Sequence, residues 1–133
     1  MMDEARRQEV QSWLDKALQD LQSAEWLLES PHNLYNAIGF HCQQASEKAL
    51  KAYLTWREKP FEKTYSLVAL VALCLPFENH FETLRQAATT LSPYAATIRY
   101  PGDLPNITKE EATEAIRLVK QILEFVVEHL PSD

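Results

Sequence analysis

The run Phe40-His41-Cys42-Gln43-Gln44-Ala45-Ser46-Glu47-Lys48-Ala49-Leu50-Lys51-Ala52 carries more polar function than a core helix needs. At about 100° per residue, His41, Gln44 and Lys48 share one side. They border an apolar stripe of Leu34, Ile38, Ala45, Ala49 and Ala52. Lys48 and Lys51 can meet phosphates, while His41 and Gln44 can hydrogen-bond a base or a ribose. The plainer alternative is a solvated Lys51, a snorkelling Lys48 and an imidazole satisfied at the core edge.

A second group, Arg99-Tyr100-Pro101-Gly102-Asp103, offers a planar fork for a phosphate or carboxylate and a ring that can stack on a base. Its alternative is a structural Arg99 bound to loop carbonyls or to Asp103. A third group, Lys59, Lys63, Tyr65 and Ser66, reads mostly as linker and capping residues. Cys42 neighbours His41 on a helix, so the two side chains diverge by about 100° and form no thiolate–imidazolium pair. No Gly-rich phosphate loop and no paired-carboxylate signature is present. Trp13, Trp26 and Trp56 read as packing residues.

These groups must be positioned by helices. The chain has 133 residues, 46% hydrophobic and 24% charged, and only Gly39 and Gly102 are glycines, so a single all-helical domain over residues 1–133 is expected. Five segments read as helix. The first runs from about Asp3 to Leu28, with Val10, Leu14, Ala17, Leu21, Ala24 and Leu28 among its apolar stripe, and stops at Ser30-Pro31. The second runs from about Leu34 to Trp56, with Asn33 as its N-cap. A short third covers Ser66 to Leu75. A fourth covers Glu78 to Leu91, with Asn79 and Glu82 at capping-box spacing. The fifth covers Lys109 to Leu130, with Thr108 and Glu111 at the same spacing. Between the last two lies a long connection, Ser92 to Ile107, of the kind that carries function. The fold class expected is all-α, an antiparallel up-and-down bundle of about five helices.

The second helix has a further apolar strip, Gly39, Leu50 and Leu54, opposite the first. A helix apolar on two sides sits mid-bundle or between subunits. A homodimer with Leu50, Leu54 or their neighbours near the contact is therefore expected. The formal net charge of −6 excludes a bulk basic field for duplex DNA. Two cysteines, Cys42 and Cys74, fall in apolar helical patterns and read as buried free thiols. The four histidines are scattered, so no metal site is expected, and no cofactor is implied. No apolar run is long enough to span a bilayer and no signal-peptide pattern opens the chain, so a cytoplasmic location with no membrane contact is expected.

The run Ala37 to Ala52 resembles the A-x-x-x-H-x-Q-Q-A-x-E-K-x-L-K-A signature of HEPN domains (higher eukaryotes and prokaryotes nucleotide-binding). Leu14-Asp15-Lys16-Ala17-Leu18-Gln19-Asp20-Leu21 is similar to that family's first-helix pattern, and Arg99-Tyr100-Pro101 to its RYP element. The resemblance covers about residues 12 to 128. It implies a small, commonly dimeric helical bundle, often encoded beside a minimal nucleotidyltransferase and paired with it as toxin and antitoxin. Some such proteins are metal-independent ribonucleases with an R-x4-6-H motif. Here no histidine follows Arg99 at that spacing, Arg117 is followed only by the distant His129, and Tyr65-Ser66-Leu67 replaces a His-containing triplet. The reading is a non-catalytic domain that binds a nucleotide or RNA segment, a nucleotidyltransferase partner, or both. Its ligand-binding residues would be His41, Gln44, Lys48, Arg99 and Tyr100. A ribonuclease with a divergent site and a structural module without ligand are the alternatives.

Overall fold

A computed structural model of the chain describes residues 3–63, 66–95 and 106–132, and among them there are five α-helices and no strand. Helix α1, Glu4–Glu29, is capped by Asp3, whose carboxylate accepts from Arg6 N at 2.7 Å. Helix α2 is Tyr35–Trp56. Its expected cap, Asn33, instead lies in the left-handed region at φ 52°, and its Oδ1 accepts from the Tyr35 hydroxyl at 3.0 Å. Leu34 therefore takes the cap position with no side-chain bond. Helix α3, Leu67–Cys74, starts on Ser66, which accepts from Ala69 N at 3.2 Å.

The expected fourth helix divides in two. Asn79–Leu84 winds as a 3-10 helix, and only Arg85–Leu91 is α-helical, here α4. Asn79 and Glu82 form no capping box. Glu78, in extended conformation, accepts from His80 N at 3.0 Å, and the Glu82 carboxylate is drawn forward onto Arg85 at 2.7 and 3.0 Å. Ser92–Ala95 adds one further 3-10 turn. Helix α5, Lys109–Glu128, has the reciprocal box: Glu111 N donates to Thr108 Oγ1 at 3.1 Å, and Thr108 N donates to Glu111 Oε1 at 3.0 Å.

Helices α1 and α2 are antiparallel, since Arg6 reaches the Trp56 carbonyl at one end and Asp20 meets Lys48 further along. Helix α5 runs beside α2 in the same direction: Asn36 binds Asn106 and Ile107 N at one end, and Phe81 bridges Tyr53 and Phe125 at the other. The stretch through α3 and α4 makes the return. The α1–α2 contact is lined by small buried residues, with Ala17 and Ala24 on one helix and Ala45, Ala49 and Ala52 on the other. Gly39 serves a close approach to the start of α5: a Cβ there would lie 2.5 Å from Ile107 Cδ1 and 3.2 Å from Tyr94 Cγ.

Helix α2 is the central element, in contact with α1, α3, α4 and α5. Leu50 and Leu54 are fully buried within this bundle, beside Tyr53, Phe81 and Ile122 in one hydrophobic cluster. They are not available to a second subunit. The second apolar strip of α2 is covered by the chain's own later helices, which corrects the expected dimer contact.

Candidate functional site

The polar edge of α2 meets α1 in a seam organised by Asp20, a residue outside the expected set. Asp20 Oδ2 accepts from Lys48 Nζ at 2.5 Å, and Oδ1 lies 2.8 Å from His41 Nδ1. Two turns of α2 separate His41 from Lys48, so one carboxylate bridges the pair. An ionised carboxylate only accepts, so Nδ1 carries the imidazole proton and Nε2 is left as an acceptor in the neutral ring. The Asp20 side chain is only 13% exposed. A carboxylate so placed needs both donors, because an unpaired buried charge is costly. Behind the seam, burial pushes the Cys42 thiol up to about 12, with the Glu25 and Asp20 carboxylates adding to the effect. Cys42 is a packed thiol, not a nucleophile.

One turn along, Lys51 is not a solvated or phosphate-facing cation. It is 6% exposed and Glu47 7% exposed, and Lys51 Nζ donates to Glu47 Oε2 at 3.0 Å. The ammonium lies 5.7 Å from the Trp13 ring centroid and 5.4 Å from that of Phe61. Glu47 Oε1 also accepts from Gln43 at 3.3 Å, and Gln44 donates to Gln43 Oε1 at 2.7 Å. Of the expected residues, then, His41 and Lys48 are brought together on Asp20, while the Gln44 amide is turned along the helix to Gln43. Arg99 and Tyr100 lie outside the described residues, as does Tyr65 of the third group.

Two surface features stand beside the seam. Trp26, expected to pack, is 74% exposed. It lines an open cleft of about 420 Å³ with Gln22, Ser23, Leu27 and His41. Its position is legible in hindsight: Gln19, Gln22 and Ser23 precede it on the polar face of α1, away from the apolar stripe. Around the helix, an apolar groove of about 770 Å³ runs between α1 and α5. Leu14, Leu18, Leu21, Leu123 and Val127 form its floor, with Lys120, Glu124 and Glu128 on its rim. Leu18 is 47% and Val127 55% exposed. No cluster of three His, Cys, Asp or Glu residues suited to a metal ion occurs among the described residues. No helix among them is long and apolar enough to cross a membrane.

The family model of the HEPN domain matches residues 10–130. Among solved structures, a Thermus thermophilus protein, TT1696, superposes with a TM-score of 0.79 at 33% identity, over 92% of this chain and 98% of that one. An archaeal HEPN homologue, ST0689, gives 0.72 at 25% identity, over 90% and 96% of the two chains. A HEPN domain protein of Thermotoga maritima shares the fold, with a TM-score of 0.72 at 24% identity over 88% and 95%. No curated protein matches the sequence significantly.

Proposed function

Because the chain belongs to the HEPN domain family, we propose that it is a non-catalytic module that works by association, with a second copy of itself and with a minimal nucleotidyltransferase as partner in a toxin–antitoxin pair. The α1–α5 groove carries this reading. Soluble proteins seldom leave leucine and valine side chains together in an open groove unless something covers them. A two-fold pairing would lay the same apolar floor of one copy against that of the other and keep the charged rim, Lys120, Glu124 and Glu128, at the edge of the contact. The nucleotidyltransferase is the partner that the family resemblance implies, and the groove does not by itself select it.

The test has two parts. Sedimentation of the wild-type chain at micromolar concentration should give a dimer, and Leu18→Glu a folded monomer. Co-expression with the product of the adjacent reading frame should yield a complex if that frame encodes a nucleotidyltransferase. A wild-type monomer that captures no such partner would overturn the reading.

Binding of a nucleotide or RNA segment is a second reading, favoured by the seam. Lys48 has three donors, and one is used on Asp20. His41 binds Asp20 through Nδ1, and no hydrogen bond of its Nε2 occurs among the described residues. An anion there must compete with Asp20 for Lys48. A thermal-shift titration with ATP and with short single-stranded RNA decides whether it does. Ribonuclease activity would need a base and an acid at one phosphodiester. The described residues bring one imidazole, His41, to the seam.

A further inference from the structure

The three tryptophans are treated unequally. Lys51 lies 5.7 Å from the Trp13 centroid, and the Arg57 guanidinium carbon lies 4.2 Å from that of Trp56. Two indoles are thus faced by a cation from their own chain. Trp26, the most exposed of the three at 74%, has no such cation among the described residues. It lines a cleft whose volume falls in the range of roughly 300–1,000 Å³ typical of binding sites.

The charges around it select the occupant. Glu29 follows Trp26 by one helical turn on the same side, is exposed, and has no ion pair among the described residues. Gln22 precedes Trp26 by one turn and lines the cleft. Both basic groups of the seam, His41, which lines the cleft, and Lys48, are held by Asp20. Glu25 is matched by Lys120 at 3.0 Å. A phosphate-bearing ligand would meet an unmatched carboxylate on a chain of net charge −6. A cation would meet an indole face and that carboxylate together. A guanidinium suits this better than an ammonium, because its plane stacks on the ring while its edge donates to acceptors.

We infer that the Trp26 face docks an arginine side chain of a partner polypeptide, with the guanidinium stacked on the indole and its N–H groups directed to Glu29 and Gln22. This rests on the association reading and adds the partner's chemistry to it.

The test uses the ¹⁵N-labelled chain, in which the three indole N–H signals are separate reporters and Trp26→Phe identifies its own. The probes are the peptide acetyl-Gly-Arg-Gly-Arg-Gly-amide, the same peptide with citrulline for arginine, and AMP. Citrulline keeps the planar donors and removes the charge. The arginine peptide should shift the Trp26 signal saturably and leave those of Trp13 and Trp56 in place. Trp26→Leu should weaken that peptide, followed by backbone signals around the cleft, about two- to fivefold. Glu29→Gln should also weaken it. An equal response to the citrulline peptide, no response, or tighter binding of AMP would overturn the inference. Failure of the association reading looks different: it is a monomeric wild type that captures no nucleotidyltransferase, whatever Trp26 does. A complex that forms with undiminished affinity in Trp26→Leu would sink this inference and leave that reading standing.

Discussion

Asp20 and Lys48 meet at 2.5 Å across the seam between α1 and α2, with His41 on the other oxygen of the same carboxylate. The pair is mostly withdrawn from solvent, so its loss is felt. Asp20→Ala should lower stability by about 2 kcal/mol, because hydrogen bonds to charged groups contribute roughly 1.5–3 kcal/mol. Urea denaturation measures this. Asp20→Asn also tests what the carboxylate conceals. It frees the Lys48 charge, so ATP should raise the melting temperature of Asp20→Asn more than that of wild type. Equal shifts would mean that Asp20 does not mask the lysine.

The Glu47–Lys51 pair lies deeper. Removing one partner leaves the other charge buried, a change that typically costs about 3–5 kcal/mol. Glu47→Ala and Lys51→Ala should each destabilise by that order. The double replacement by methionine should cost much less than the sum of the two, since it leaves no orphaned charge. An additive double mutant would show that the two side chains do not depend on each other.

Ile122 is fully buried on α5, within the cluster that also holds Tyr53 and Phe81. Ile122→Ala should cost on the order of 2–5 kcal/mol, with helicity by circular dichroism retained below the transition. A loss under about 1 kcal/mol would mean that the cluster closes over the space left behind.

The two thiols give a pH dependence of definite sign. Burial raises Cys42 and Cys74 from 9.0 to about 12. A raised thiol favours the neutral form in the folded state. Its contribution is complete below the unfolded value near 9 and is lost as pH rises from there towards 12. Stability should therefore fall across that alkaline window, and Cys42→Ala with Cys74→Ala should flatten that part of the profile. At about pH 8, both thiols should react with a maleimide only as fast as the chain opens.

Helix starts were legible where a short polar side chain had a single role. Thr108 caps as its spacing to Glu111 indicates, and Asp3 and Ser66, read as the first residues of their segments, are the caps that start those helices. Asn33 and Glu82 were not legible, because each side chain had two competing partners and three-dimensional packing chose the other. Leu50 and Leu54 show a further boundary. Periodicity reports that a face is apolar, but not whether the same chain or another covers it. The seam was half legible: the α2 pattern marks His41 and Lys48 as partners in need of a counter-charge, but only the α1–α2 pairing supplies Asp20. Residue type alone points Trp26 to the core, whereas its place on the polar face of α1 points it to solvent, where it stands.

The alanine-lined contact between α1 and α2 has a consequence for register. Ala17 and Ala24 on α1, with Ala45, Ala49 and Ala52 on α2, are short buried side chains, and Val10, Trp13 and Leu14 pack beside Ala52 at one end. A displacement of one helical turn, about 5.4 Å, would replace one alanine by another along much of that contact but would not disturb only apolar packing. It would take Asp20 away from His41 and Lys48, and Trp13 away from Lys51. The polar contacts thus help to fix where along α2 the first helix stops, and hence which side chains of α1 stand opposite α5.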